Sequence, residues 1–143
     1  MIARRDDGYE IAIDPDRLDI ELIHHWLSTD AFWALGRSRE TVGRSVHASL
    51  NFGLYDADGA QAAYARVVTD LSTFAWLCDV YVAPAHRGNG LGTWLATAIR
   101  DHLAPYELKR VLLSTLDAHE VYAKAGFVPF PHPGNLMILG PEE

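Results

Sequence analysis

The run Asp79-Val-Tyr-Val-Ala-Pro-Ala-His-Arg-Gly-Asn-Gly-Leu-Gly-Thr93 leads an apolar stretch into alternating glycines and then into a helical pattern. A turn of this kind can hold a pyrophosphate. The first four N–H groups of a helix lack partners within it, and the aligned peptide dipoles favour negative charge at that end. Gly88, Gly90 and Gly92 have no β-carbon, so the chain can take positive φ and approach phosphate oxygens closely. Asn89, Leu91 and Thr93 extend the row of backbone donors, and Arg87 adds a fixed positive charge at its rim. The spacing does not fit a P-loop, which needs a lysine after its second glycine, nor the G-x-G-x-x-G dinucleotide fingerprint. A tight strand-to-helix turn that binds nothing would use the same glycines.

Asp79 is the only charge in the apolar stretch 74–82. A carboxylate near pKa ~3.9 is mismatched to an ammonium near ~10.4 by about six units, roughly nine kcal/mol, for direct proton transfer. Asp79 can therefore act through water with a raised pKa, bind an ammonium, or cap nearby backbone. The lone Cys78 excludes an internal disulfide and reads as a small core residue. Seven histidines are scattered without a metal-ligand spacing, so no metal site is expected. His47 is a candidate acceptor-side base if the second helix lines a cleft, and otherwise a surface or packing residue.

Several elements must position these groups. A first strand is expected over 9–13, then a helix capped by Asp14 with Pro15 at its first position and an apolar stripe of Leu18, Leu22, Ile23, Trp26 and Leu27. A second helix starts near Ser38 and buries Val42, Val46 and Leu50. Residues 51–56 and 62–69 read as a hairpin about Asp58-Gly59, and 74–82 as a central strand, apolar on both faces. Helical spacing of Leu91, Leu95, Ala98, Ile99 and Leu103 follows the glycine turn, and Pro105 ends that helix. Residues 110–116 are expected as a strand, 118–125 as a short helix stopped by Gly126, and 127–130 and 136–139 as closing strands.

Arg87, Gly90 and Gly92 fill the pattern Arg/Gln-x-x-Gly-x-Gly/Ala, and Ala118-His-Glu-Val-Tyr-Ala-Lys-Ala-Gly-Phe127 fits A-x-x-[LIV]-Y-x-K-x-G-F. In both, the chain resembles the GCN5-related N-acetyltransferase (GNAT) superfamily, strongly over 74–127 and thinly before. Thr115 stands where the family pattern usually has Asn. The resemblance implies an α/β (α+β) fold in βααβββαβαβ order: a mixed, mostly antiparallel sheet of six to seven strands, about four flanking helices, and central strands that splay apart. It implies acetyl-CoA as cosubstrate, without a metal, and transfer of its acetyl group by direct attack of a primary amine on a small molecule or peptide. The backbone of Val80, Tyr81 and Val82 would pair with pantetheine and stabilise the oxyanion, and Tyr122 would protonate the departing sulfur. The plain reading of Tyr122 is a half-buried aromatic on a short helix.

Trp26, Phe32, Trp33 and Arg37 cluster about the junction of the first two helices, where such folds close over the acceptor. With Asp79 as an acidic floor, the aromatic walls suit a small cationic amine or a peptide amino terminus; a hydrophobic staple between helices would use the same residues. The rival class is a non-catalytic acyl-CoA-binding or regulatory module.

At 143 residues and 49% hydrophobic, the chain suits one domain, 1–143, with an acceptor side over 1–70 and an acetyl-CoA-binding core over 74–127. A net charge of −7 disfavours nucleic acid, and no apolar run approaches the ~20 residues that span a bilayer. The first residues lack the apolar stretch of a signal peptide, so a cytoplasmic protein without membrane partners is expected, with homodimer formation left open.

Overall fold

The computed structural model describes residues 1–141. It opens with a hairpin absent from the sequence expectation. Gly8, at φ 92°, turns the chain so that the Arg5 amide donates to the Tyr9 carbonyl at 2.8 Å. This pairs β1 (Ala3–Arg4) antiparallel with β2 (Glu10–Ala12), the strand expected over 9–13.

Asp14 does cap a helix, but only a single 3-10 turn, Pro15–Arg17. Asp19 starts the chain again: its carboxylate accepts from the Leu22 amide at 3.0 Å, and α1 runs Ile20–Thr29. The expected single helix is broken because a second short acidic side chain competes for the orphan amides of a first turn. Ser38 caps α2 (Arg39–His47) by accepting from the Thr41 amide at 3.1 Å. Val42 and Val46 are buried, whereas Leu50 leaves the helix and begins β3 (Leu50–Tyr55).

β3 returns as β4 (Gln61–Thr69) through a turn in which the Asp56 carboxylate accepts from the amides of Asp58 and Ala60. Then follow β5 (Phe74–Val82), α3 (Leu91–Leu103), β6 (Arg110–Leu113) and α4 (His119–Lys124). The six strands lie in sequence order, antiparallel throughout except for the parallel pair β5 and β6. The sheet is thus mixed and mostly antiparallel, with four α-helices.

Each face of the sheet has its own core. Leu91, Leu95 and Ile99 of α3 pack with Phe52, Leu54 and Leu77 on one side. Ile23, Trp26 and Val42 from α1 and α2 cover Tyr64 and Tyr81 on the other. β5 contributes to both, as a central strand with apolar residues on both faces must.

Two expectations for the C-terminal part are corrected. β6 stops at Leu113 rather than Leu116, and no strand forms among the described residues of the tail, where one 3-10 turn, Pro133–Asn135, is the only regular element. Pro129, Pro131 and Pro133 explain the loss over 127–130, since each lacks the N–H a ladder needs; residues 136–139 hold no proline and simply pair with no strand. Met137 and Leu139 are in consequence 98% and 103% exposed.

Core and tail leucines should therefore differ sharply. Leu95→Ala, at a fully buried site against the sheet, should lower unfolding free energy by about 2–5 kcal/mol in urea titration. Leu139→Ala should change it by less than about 0.5 kcal/mol. Equal losses would mean that the tail packs into a core.

Candidate active site

The site begins where β5 changes company. Its first part pairs in parallel with β6, Phe74 opposite Arg110 through Leu77 opposite Leu113. Beyond Leu77, β6 has ended and that edge of β5 stands open up to Val82. On the other edge β4 continues alongside, with Tyr64 opposite Tyr81 and Ala63 opposite Val82. The Ala83 amide donates to the Ala62 carbonyl at 2.9 Å, so alternation turns the backbone groups of Val80 and Val82 to the open edge. The Val82 carbonyl duly accepts from Arg87 Nε at 2.9 Å rather than from β4. The two strands splay into a wedge lined by main-chain groups.

A β-bulge sits at the mouth of this wedge. Between the pairs Arg66–Cys78 and Tyr64–Tyr81, two residues of β5 oppose one of β4. Asp79 takes up the extra residue at φ 51°, in the left-handed region a non-glycine residue rarely enters. Its side chain is 2% exposed and fully engaged. Oδ1 accepts from Trp33 Nε1 at 2.9 Å, and Oδ2 from Arg37 Nη1 at 2.8 Å and Arg66 Nε at 2.9 Å. Burial by itself would raise the carboxyl pKa. The Arg66 hydrogen bond, the Arg37 charge and the Trp33 indole outweigh it and hold the group below its ordinary value. The floor expected to be acidic is therefore a carboxylate already shared by two guanidinium groups.

The glycine turn lies just beyond. Ala83 leads through a 3-10 turn, Pro84–His86, to Gly88 at φ 85° and Gly90 at φ 71°, and Gly90 occupies the N-cap of α3. A β-carbon on Gly88 or Gly90 would meet nothing within 4 Å, so backbone conformation rather than crowding requires glycine there. Among the described residues the amides of residues 88–93 donate to no protein acceptor, and no side chain caps the helix. Gly92 faces α4: a β-carbon there would make an ordinary contact with Val121 Cγ1 at 3.4 Å. The turn is braced from the first hairpin. Arg5 Nη1 donates to the Asn89 carbonyl at 2.9 Å, and the Tyr9 hydroxyl meets His86 Nδ1 at 2.7 Å. Asn89 Nδ2 adds a bond to the His86 carbonyl.

Arg87 reaches back across the wedge mouth. Besides holding Val82, it pairs with Asp30 at 3.2 Å and lies over the Tyr81 ring, whose hydroxyl donates to the same Asp30 carboxylate at 2.6 Å. Burial, helped by that carboxylate, raises the Tyr81 phenol to about 12. Nothing in the sequence reading flagged Asp30, which comes 57 positions before Arg87.

Tyr122 stands on α4 beside the turn, where Thr93 Oγ1 of α3 bonds the Val121 carbonyl. Its ring packs edge-on against Phe127, and its hydroxyl has no protein partner among the described residues. Burial, with the Asp117 charge, raises the phenol to about 12. Thr115, in the position where the family pattern has Asn, accepts from the Ala118 amide and so fixes the entry to α4.

The acceptor-side residues divide. Phe32 and Trp33 pack edge-to-face on the loop after α1, 56% and 43% exposed, and Trp33 and Arg37 meet Asp79. Trp26 stands apart: it is buried and stacks on Tyr81 at 5.3 Å, part of the core under the loop. His47 is exposed at the end of α2, beside a surface pocket of about 560 Å³ between α2 and β3, and bonds to no member of the Asp79 cluster. The residue missed entirely is Arg66, whose alternation on β4 gives it the same face as Tyr64. Among the described residues no group of three or more His, Cys, Asp or Glu side chains could hold a metal ion. No helix among them is long and apolar enough to cross a membrane.

The order of strands, the parallel pair that diverges and the uncapped helix after a glycine turn together make the architecture of an acyltransferase fold. Residues 20–127 match the Acetyltransferase (GNAT) family model, and the chain belongs to that family. A protein of Gibberella zeae, provisionally named an acetyltransferase, is 30% identical over 81% of this chain and 76% of its own length. A crystal structure from Xanthomonas campestris pv. campestris, provisionally assigned as an acetyltransferase of the GNAT family, is 42% identical over 92% of both chains, with a TM-score of 0.86. A Mycobacterium tuberculosis protein solved in complex with CoA shares the fold at a TM-score of 0.69 and 20% identity, over 85% of this chain and 72% of its own.

The lowered Asp79 pKa makes a prediction about stability. A folded value below the ordinary one stabilises above the unfolded pKa of ~3.9 and is lost as pH falls through the folded value. Asp79→Asn should cost about 3 kcal/mol at pH 7, because two guanidinium groups lose their partner. The gap to the unmodified protein should narrow below about pH 4. Thermal unfolding from pH 2 to 7 measures this, and a gap independent of pH would show that the carboxylate charge contributes nothing.

Proposed function

We propose that the protein transfers the acetyl group of acetyl-CoA to a primary amine of a small molecule or peptide, by direct attack of the amine on the thioester. The observation that carries this reading is the junction of two sets of open main-chain donors: the free edge of β5 at Val80 and Val82, and the unpaired amides of residues 88–93. The second set suits a pyrophosphate, with Arg87 at its rim. The first suits an extended amide-bearing arm, laid along β5 as an added strand where β6 has turned away. That places the thioester carbonyl beside an amide of Val80 or Val82, which stabilises oxygen as negative charge develops on it. Residues 74–127 then make the acetyl-CoA half of the domain and residues 1–70 the acceptor half.

Cys78 supports direct attack. Burial pushes its thiol up to about 11, so at neutral pH it is not the thiolate an acyl-enzyme route needs. When the amine nitrogen bonds to the carbonyl carbon and the C–S bond breaks, one proton leaves nitrogen and one must reach sulfur. Tyr122, protonated throughout the neutral range, is the donor next to the turn. Its transfer to a free thiolate of pKa ~8.5 runs uphill by about 3.5 units, roughly 5 kcal/mol, and this cost is recovered because the cationic nitrogen of the adduct is a stronger acid than the phenol. The proton shed by nitrogen then restores the phenol through water. Asp79, held ionised by three donors, is proposed as a positioning residue for Arg37 and the bulge rather than as the base.

Two variants test the reading. Gly90→Val forces a β-branched residue into the left-handed region and re-aims the first amides of α3. It should abolish acetyl-CoA binding by calorimetry in a protein whose circular dichroism is unchanged; unaltered affinity would move the site elsewhere.

Tyr122→Phe keeps the ring against Phe127 and removes only the hydroxyl. Acetyl-CoA affinity should stay near its original value while kcat falls roughly ten- to a thousandfold. Full turnover at every pH would take Tyr122 out of the mechanism.

A further inference from the structure

The charge around Asp79 does not balance. Arg37 and Arg66 both pair with it, and it is the only carboxylate either pairs with among the described residues. One carboxylate neutralises one guanidinium, so one positive charge is left over in a half-buried place: the side chains of Arg37 and Arg66 are 22% and 16% exposed. This occurs in a chain with 19 acidic and only 12 Lys and Arg side chains, where a spare anion would be easy to supply.

Donors remain as well as charge. Arg37 commits Nη1 to Asp79, leaving Nε and Nη2 without a protein partner; Arg66 commits Nε to Asp79 and Nη1 to Ser49 Oγ, leaving Nη2. None of these nitrogens is among the buried unpaired polar atoms of the described residues, so each keeps some contact with solvent. Arg66 lies opposite Cys78, one position before the bulge, and Val80 follows the bulge with its backbone toward the wedge. The spare charge thus sits at the bulge, one residue before Val80. Phe32 and Trp33 expose their rings on the same loop as Arg37, giving the cleft an apolar wall.

We infer that the acceptor is a small amine that also carries a carboxylate, which the free N–H groups of Arg37 and Arg66 bind while the amine faces the open edge of β5. The inference rests on the acetyl-transfer reading and departs from the sequence expectation of a small cationic amine or a peptide amino terminus. A planar guanidinium with two free N–H groups on one side matches a carboxylate in geometry as well as charge. A second cation brought to the same spot would be repelled by the unbalanced arginine. The loop carrying Arg37 is pinned where it must be, since its carbonyl lies 3.1 Å from His24 Nε2 of α1 and its Nη1 is fixed by Asp79.

The test compares matched acceptors by CoA release. Glycine, β-alanine, 4-aminobutyrate and the common amino acids are each set against their carboxamides, with spermidine and a lysine-rich peptide as purely cationic amines. At least one carboxylated amine should exceed its carboxamide by tenfold or more in kcat/KM, chiefly through KM. In Arg37→Gln that ratio should fall toward one, with KM for the carboxylated acceptor rising roughly thirty- to a thousandfold, and Arg37→Lys should recover part of it. Acetyl-CoA calorimetry establishes that each variant is folded; where Arg37→Gln is not, Arg66→Lys replaces it. Carboxamides or spermidine acetylated as well as the carboxylated amines would overturn this inference and leave acetyl transfer standing. Binding of acetyl-CoA with no acceptor consumed would overturn the acetyl-transfer reading, and this one with it. As an arm independent of turnover, the N-acetylated form of the preferred amino acid should bind the CoA-loaded protein, and its carboxamide should bind at least tenfold more weakly.

Discussion

One aspartate in the wrong backbone conformation holds three parts of this protein together. Asp79 adopts a left-handed geometry at a cost of about 1–3 kcal/mol. It is kept there by donors from β4 and from the loop between α1 and α2. These charge-assisted bonds at 2.8–2.9 Å are of the strong kind, and they are shielded from water by the burial of the carboxylate. The extra residue shifts the alternation of β5. Tyr81 faces the helices, while Val80 and Val82 join the α3 side and turn their backbone away from β4. Without the bulge the same strand would present its other set of main-chain groups to the wedge. Local strain, charge and strand register are here one device.

The divergence of β5 from β6 follows a related logic. Four residue pairs suffice to fix the parallel register near the β4–β5 turn, and the rest of β5 is held by β4 alone. A strand edge and a helix start can leave donors unpaired only where water or a ligand reaches them. Both sets lie beside α3, and the contact of α3 with α4 through Thr93 and Val121 brings Tyr122 to the same side.

What the sequence made legible was local. The glycine turn, the amphipathic α3, the two-faced β5 and the helix bearing Tyr122 each depend on residues within one or two turns of chain. Asp79 drew notice for a physical reason, a charge within an apolar strand, yet its partners stand 13, 42 and 46 positions away and no periodicity joins them. Arg66 looked like any charged residue on an alternating strand. Trp26 shares its composition with Phe32 and Trp33 but lies on the inward stripe of α1, so it became core while they became surface. The tail misled because its apolar residues resemble strands, whereas Pro129 and its neighbours remove the hydrogen bonds a strand over 127–130 would need, and 136–139 meet no partner strand.

The bracing of the glycine turn sets a limit on how this domain can be divided. Arg5 and Tyr9 hold the turn through Asn89 and His86, and the Arg5 guanidinium also lies over the Trp94 ring of α3. Both residues precede the 20–127 span that the family model matches. A fragment cut to that span would keep every glycine and every open amide of the turn, yet lose the tether that holds their spacing. The first ten residues, which carry no motif, thus work as the clamp on a motif eighty residues downstream. Fusions or tags that disturb the β1–β2 hairpin would be felt there, distant in sequence but next door in space.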